Sequence, residues 1–186
     1  MSQIRIATRY AKALLELSIE KNSLEAVFGD MKTFLSITSV NRELAVVLAN
    51  PIVNYEKKFN ILKALLGKSA DKITMSFFDL ITRKNRSMAL VATAREFLSQ
   101  YNEYKGIQVA EVTTTIPLTP ALRKEFEAIV KEISGLQKVE LVETIDKSLI
   151  GGFVLKVNDK QLDDSISGKL RELKMNLAQR YFVKLY

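Results

Sequence analysis

The spacing of apolar residues along the chain changes abruptly at Gly106. Before this glycine, apolar residues recur every three or four positions in six segments joined by short connections, a pattern that predicts α-helices. After it, residues 107–116 alternate loosely and contain valines and threonines, which favours a β-strand. The chain is therefore predicted to be α+β overall, with an all-α six-helix bundle in residues 1–105 and a small α+β domain in residues 106–186.

Capping and breaking residues mark the ends of several predicted helices in residues 1–105. Ser23 is a good N-cap for the second helix, Asn50-Pro51 breaks the third, and Gly67 ends the fourth. The fifth helix is predicted over about residues 71–84 and the sixth over about residues 87–105. Short connections between such helices are typical of a bundle.

Two apolar stripes run along the predicted first helix. One comprises Ile6, Tyr10, Ala13 and Leu17, and the other, made of smaller residues, comprises Ala7, Ala11, Leu14 and Ser18. A helix that only closes its own core needs one stripe, so this helix is either central in the bundle or presents one stripe to a partner. The spacing leaves both interpretations open.

The predicted fifth helix has an apolar face of its own. Its residues Ile73, Phe77, Leu80 and Ile81 are predicted to face one way. Together the first and fifth helices could form an apolar groove for an amphipathic partner helix.

The second domain is predicted to run strand, helix, two or three strands, helix. Thr119-Pro120 marks the start of its first helix and Gly135 the end. Strands are predicted at residues 107–116, 139–145 and 150–157, the last two joined as a hairpin, with a short fourth strand at 160–163. The last helix, at about residues 165–181, carries Ile166, Leu170, Leu173 and Leu177. About 80 residues is near the size at which a single core becomes marginal, so a partner helix would help.

The stretch from Ile145 to Leu173 contains glycines and aspartates that resemble site residues. Gly151-Gly152 lacks the spacing of a phosphate-binding loop, and we expect it to allow a bulge or a close backbone approach at a strand start. Asp159, Asp163 and Asp164 do not match a calcium loop, so a turn and a helix cap are favoured.

The sequence has no histidine and no cysteine. Disulfides, thiolate chemistry, the commonest general base and the commonest metal-binding side chain are thereby removed. Asp, Glu, Lys and Tyr remain, but no set of them suggests a nucleophile, a base and an oxyanion donor together. We expect a non-catalytic protein without metal or cofactor. No apolar run approaches the roughly 18 residues that span a bilayer, and no signal peptide is predicted, so neither membrane insertion nor export is expected.

The formal charge of +7 is concentrated in the first domain. Residues 1–105 have 16 Lys and Arg against 10 Asp and Glu, whereas residues 106–186 have 12 against 11. A basic module suggests an acidic partner, which could be nucleic acid, an anionic membrane surface or an acidic protein face. The basic residues are scattered, which favours a solvated surface, but a nucleic-acid-binding protein stays open as the alternative function.

Three stretches resemble the delta-subunit family of the F-type rotary ATP synthase, whose mitochondrial relative is the oligomycin-sensitivity-conferring protein. Residues 7–14 (ATRYAKAL) are similar to the family's A-x-R-Y-A-x-A-L, and residues 80–86 (LITRKNR) to the end of one of its helices. Ile145-Asp146, residues 149–153 and the later pattern of Asp163, Ser165 and Leu170 resemble its most specific motif. The resemblance covers the whole chain in the same order.

This resemblance implies a non-catalytic peripheral-stalk, or stator, subunit at the cytoplasmic face of a bacterial cell membrane. The N-terminal helix of one alpha subunit of the catalytic head would occupy the groove between the first and fifth helices, and the second domain would bind the C-terminal end of the stalk b subunits. No nucleic acid is expected as a partner. Transferred by position, the groove residues are Tyr10, Ala13, Leu14, Leu17, Phe77, Leu80 and Ile81.

Overall fold

A computed structural model describes residues 3–67 and 70–180 of the chain. The first compact unit ends at Tyr104 and the second begins at Lys105. The first unit is helical, and the second combines helices with a four-stranded sheet, so the predicted α+β class is confirmed. Residue 181, the predicted end of the last helix, lies outside the described residues. Within the described ranges, no helix is both long enough and apolar enough to span a bilayer.

Six α-helices form the first unit, as predicted. They are α1 (Gln3–Glu20), α2 (Leu24–Val40), α3 (Arg42–Ala49), α4 (Tyr55–Leu66), α5 (Lys72–Arg83) and α6 (Leu90–Lys105). The sixth begins three residues later than predicted because Ser87–Ala89 form a 3₁₀ turn. Asn85 has a φ of 53°, and the hydroxyl of Ser87 donates to the Leu48 carbonyl at 2.7 Å, so the chain turns too tightly there for an α-helix.

The core of this unit is aromatic and aliphatic, with close contacts between helices. Phe34 and Phe78 are fully buried, and their ring centroids lie 5.3 Å apart. The small-residue stripe of α1 also faces this core. Its members Ala7, Ala11, Leu14 and Ser18 are all at most 2% exposed. Small side chains let neighbouring helices approach α1 closely, which makes α1 a central helix of the bundle.

One charged side chain lies inside this bundle. The Nζ of Lys58 donates to the Leu48 carbonyl at 3.1 Å and to the Ser87 hydroxyl at 2.8 Å. Burial lowers the pKa of the Lys58 ammonium because the charged form loses its hydration. The three residues join α4, the end of α3 and the 3₁₀ turn.

The second unit has four strands and two helices among the described residues. They are β1 (Ile107–Thr114), α7 (Pro120–Ser134), β2 (Lys138–Ile145), β3 (Phe153–Val157), β4 (Lys160–Asp163) and α8 (Ile166–Arg180). The strand order is β2-β1-β3-β4, with β2 parallel to β1 and β3 antiparallel to both β1 and β4. The predicted β2–β3 hairpin is wrong, because α7 carries the chain back to lay β2 along one edge of β1 and β3 takes the other edge.

The turn before β3 explains the double glycine. Ile150 has a φ of 67° and Gly152 a φ of 77°, so the strand begins at Phe153 rather than at the predicted residue 150. A Cβ on Gly152 would collide with the backbone carbonyl of Asp164. The predicted close backbone approach at this strand start is confirmed.

The core of the second unit lies between the sheet and α7. Val112 of β1 pairs with Leu155 of β3, and both are at most 1% exposed. Phe126 of α7 meets Phe153 edge to face, with ring centroids 4.8 Å apart. The helix α7 starts at an N-cap, Thr119, and ends at a left-handed Gly135, as predicted.

The helix α8 is capped at its start and leaves its apolar stripe partly exposed. Ser165 caps it, because its hydroxyl accepts the Gly168 amide at 3.0 Å and donates to Asp163 at 2.6 Å. Its apolar stripe is not core: Ile166, Leu170, Leu173 and Leu177 are 45–55% exposed. In the part of the chain that the structure describes, this stripe stays about half exposed.

Candidate functional site

An open groove of about 620 Å³ lies between α1 and α5. Seven of its lining residues are apolar: Tyr10, Ala13, Leu14, Leu17, Ile73, Phe77 and Leu80. Five polar residues complete it: Lys21, Ser23, Asp71, Lys72 and Ser76. Six of the seven residues predicted from sequence line this groove, and Ile81 does not.

The two stripes of α1 face different surroundings in the structure, and Leu14 contributes to both. The small-residue stripe packs into the core, while the other stripe supplies Tyr10, Ala13 and Leu17 to the groove. Leu17 is 41% exposed, and Leu14, the member of the small-residue stripe that also lines the groove, is buried in its floor. The choice that spacing left open is therefore resolved: α1 is both a central helix and the wall of a groove.

The helix α5 supplies the opposite wall. Phe77 is 8% exposed and forms part of the groove floor, whereas Leu80 is 48% exposed and forms part of the groove rim. The prediction is wrong for Ile81, which is 0% exposed and belongs to the core. Successive helical residues are about 100° apart, so Leu80 and Ile81 lie on opposite sides of Phe77 and only Leu80 can face the groove.

Hydrogen bonds fix the start of α5 against α2. The Asp30 carboxylate accepts from the Asp71 amide at 2.8 Å and from the Thr74 hydroxyl at 2.7 Å. The Asp71 carboxylate in turn accepts from the Ile73 amide at 2.8 Å. Two acids at a helix N-terminus satisfy its free amides and complement its dipole. Sequence analysis missed Asp30, because nothing local connects α2 to a helix some 40 residues later.

Tyr10 joins three parts of the groove. Its ring meets Phe77 edge to face, with centroids 6.3 Å apart. Its hydroxyl accepts a hydrogen bond from Nη1 of Arg86 at 2.9 Å, and the guanidinium carbon lies 5.8 Å from the ring centroid. Tyr10 therefore holds together α1, α5 and the connection that follows α5. Sequence analysis also missed Arg86, whose partner lies 76 residues away.

The second unit offers a separate apolar surface. The half-exposed stripe of α8 lies at the end of the glycine- and aspartate-containing stretch. Its exposed leucines at positions 170, 173 and 177 follow helical spacing. This stripe suits contact with another apolar helix.

The geometry of the groove suits the binding of a partner rather than catalysis. From Tyr10 to Lys21 the groove follows α1 for about 17 Å, or three helical turns. Apolar side chains at that spacing accept the apolar face of an amphipathic helix. In the described part of the chain, no group of three or more Asp or Glu is placed to hold a metal ion. The fold and these surfaces define a class of two-unit protein that has an apolar groove on one unit and an apolar helix face on the other.

Comparison with known proteins gives the family. Residues 6–177 match the family described as ATP synthase delta (OSCP) subunit. An ATP synthase subunit delta from Cytophaga hutchinsonii is 42% identical over 97% of this chain and 98% of that protein. One from Synechocystis is 33% identical over 94% of each. The chain belongs to the ATP synthase delta (OSCP) subunit family, a family of structural subunits.

A solved structure shares the fold. A chain in the Toxoplasma gondii mitochondrial ATP synthase hexamer superposes with a TM-score of 0.72 and 22% identity, covering 92% of this chain and 97% of that one. The resemblance inferred from the three stretches is thus confirmed. The family gives no support to the nucleic-acid-binding alternative.

Proposed function

We propose that the chain is a non-catalytic stator subunit of an F-type ATP synthase, linking the catalytic head to the peripheral stalk. The observation that carries this proposal is the apolar groove between α1 and α5, left open in a member of the delta (OSCP) family. The two relatives named above are ATP synthase delta subunits, and the chain of similar fold belongs to a mitochondrial ATP synthase. The groove supplies the attachment that such a role requires.

The first unit binds the head. Its occupant is the N-terminal helix of one alpha subunit, laid along the groove with its apolar face toward Leu14 and Phe77. The rim residues Leu17 and Leu80, 41% and 48% exposed, lose their remaining water on binding. Full burial of an exposed leucine contributes about 1.5–3 kcal/mol, so covering the remaining exposed part of each contributes roughly half of that, which makes the two rim leucines the main energetic anchors.

The second unit binds the stalk. Its α8 stripe accepts the C-terminal end of the b subunits, because its leucines are left half exposed by the unit's own core. Covering them would add apolar burial to a unit of about 80 residues, whose own core is near the marginal size. The chain then has one apolar surface for each neighbour.

This division of surfaces suits a joint under load. The stator prevents the head from rotating with the rotor, so the contacts must dissociate slowly under sustained force. Apolar burial at about 25 cal/mol per Å² supplies that strength, while charges set orientation and encounter rate. The subunit needs no catalytic residue, metal or cofactor of its own. It sits at the cytoplasmic face of the cell membrane as a peripheral part of the complex.

Binding to the isolated catalytic head tests the proposal. Full-length chain should be retained by immobilised head and should remain bound during extended washing, as slow dissociation requires. A folded chain that fails to bind the head would overturn the proposal. A gel shift with duplex DNA at physiological salt serves as the counter-test, because tight, salt-dependent binding would instead favour the nucleic-acid alternative.

A further inference from the structure

The groove does not end at Tyr10. A second cavity of about 310 Å³ continues past it along α1, and Tyr10 and Ala13 line both cavities. Its other walls are Ile6, Arg9 and Arg86. We call the two neighbouring cavities together the channel; its lining residues run along α1 from Ile6 to Lys21, just past the end of the helix, a span of about 22 Å.

Charge is distributed unevenly between the two ends of this channel. We call the part lined by Arg9 and Arg86 the basic end. Among the described residues, no ion pair includes either of these arginines. At the opposite end, the Nζ of Lys21 lies 4.0 Å from the Oε1 of Glu20. Lys72 follows Asp71 in the sequence and both line the groove, so positive and negative charges are equal in number there. The net positive charge of the channel is therefore concentrated at one end.

Arg86 is positioned in advance for a ligand. One of its N–H groups is used by the Tyr10 hydroxyl at 2.9 Å, which holds the guanidinium beside the channel. Guanidinium carries five donors in a planar fork that matches a carboxylate, so donors remain free after the tyrosine contact. Arg83, one turn earlier, differs because its guanidinium is already paired with Asp79 at 3.0 Å.

We infer that the basic end receives a carboxylate of the docked helix and thereby fixes the direction in which that helix lies in the groove. The inference rests on the proposed function, with the alpha-subunit N-terminal helix as the occupant. An apolar groove accepts a helix in either direction, since both present similar apolar faces. A carboxylate at one end of the helix pairs with Arg9 and Arg86 in only one of the two directions, so charge complementarity selects between them.

A double-mutant cycle tests the contact. The probe is a synthetic peptide of the N-terminal helix of the alpha subunit from the same organism, titrated into the full-length chain. Each acidic residue of the peptide is replaced in turn by its amide. One replacement should weaken binding to the unmodified chain by about 3- to 10-fold, and should change binding to an Arg86→Gln chain less than about 2-fold.

Arg83→Gln is the matched control. It removes the same charge from a nearby position that lines neither cavity. The sensitive acidic residue should keep its full effect in this variant. Arg86→Gln should unfold at a slightly lower temperature than the unmodified chain but stay folded at the temperature of the titration, because it loses only an exposed contact with Tyr10.

Cross-linking tests the direction. The sequence has no cysteine, so single cysteines can be placed at Arg5 or Lys21, toward opposite ends of α1. The peptide end that carries the sensitive acidic residue should cross-link to position 5 and not to position 21. Equal cross-linking to both positions would overturn the inferred direction.

The outcomes separate the inference from the proposed function. If the peptide binds but no acidic residue is coupled to Arg86, the inference is overturned while the helix-binding groove stands. If neither the peptide nor the isolated head binds the unmodified chain, the proposed function fails and the inference fails with it.

Discussion

Leu80 is the residue at which the proposed head contact can be tested with least risk to the fold. It is 48% exposed on the groove rim, so Leu80→Asp should leave the bundle intact. A docked helix would bury the new carboxylate without a partner, so affinity for the head should fall at least about tenfold. The measurement is titration of the full-length variant with isolated head.

Leu65 provides the matched control for that substitution. It is 46% exposed in the same unit, on α4, and does not line the groove. Leu65→Asp introduces the same charge at similar exposure and should bind the head as the unmodified chain does. Equal losses of affinity in the two variants would show that the groove is not the surface that contacts the head.

Gly152 should tolerate no side chain. Its φ of 77° disfavours any L-residue, and a Cβ there would meet the backbone of Asp164. We expect Gly152→Ala to lower the free energy of unfolding by about 1–3 kcal/mol or more. Urea unfolding followed by circular dichroism measures the loss.

Gly151→Ala is the comparison for that glycine. The added Cβ would lie 2.7 Å from Cδ1 of Ile166, the end of a flexible side chain that can move aside. Its cost should be clearly smaller than that of Gly152→Ala. A cost equal to or greater than that at Gly152 would contradict the assigned role of the turn.

The buried Lys58 should make the free energy of unfolding depend on pH in the alkaline range. Burial lowers its pKa in the folded chain, whereas the unfolded chain has the ordinary value of about 10.5. Between those two values the unfolded state binds more protons, so the folded state gains stability as pH rises. Urea unfolding should therefore show the free energy of unfolding of the unmodified chain rising relative to that of Lys58→Met as the pH rises toward the ordinary lysine pKa of about 10.5.

An exposed neighbour controls for the loss of one positive charge. Lys57→Met, on the same helix, should show no comparable drift relative to the unmodified chain. Two results would contradict the account of a desolvated lysine. The difference in free energy of unfolding between the unmodified chain and Lys58→Met could stay constant as the pH rises, or Lys58→Met could become the relatively more stable of the two.

At the scale of elements, helices could be predicted far better than strand pairing. Thr119, Pro120 and Gly135 fix the ends of α7 through local backbone chemistry, which the sequence displays directly. Which strand lies beside β3 depends on a non-local crossover, so the sequence suggested β2 where the structure has β1. Local patterns identify elements, and tertiary packing chooses their neighbours.

The same distinction between local pattern and tertiary packing explains which groove residues could be predicted. Helical spacing put Tyr10, Ala13 and Leu17 on one face of the first helix and Phe77 and Leu80 on one face of the fifth, and all five line the groove, because a periodic pattern defines a face. It failed at Ile81 because a face about 100° wide contains residues on both sides of Phe77, and only packing decides which side is covered. Asp30 and Arg86 act through contacts distant in sequence, for which no periodic signal exists.

The helix α8 shows how an apolar pattern can mislead about burial. Its leucines follow core spacing, yet Leu170 and Leu173 are 54% and 55% exposed. Periodicity reports that a face is apolar, but not whether the covering partner belongs to the same chain. This exposed stripe is the element-scale basis for assigning the stalk contact to the second unit.

At the scale of the whole molecule, the account requires two separable attachments on one chain. The groove variant Leu80→Asp should lose the head and keep the stalk. The α8 variant Leu173→Asp, at an equally exposed leucine, should lose the stalk and keep the head. This crossed pattern would distinguish a connector from a subunit that uses one surface for both partners.

The most direct test is whether the chain bridges head and stalk. Immobilised catalytic head is mixed with the soluble part of the b subunits, with and without the full-length chain, and the retained b subunits are quantified. The account predicts retention only when the chain is present, and loss of retention with either Leu80→Asp or Leu173→Asp. Retention of the b subunits without the chain, or undiminished retention with both variants, would contradict it.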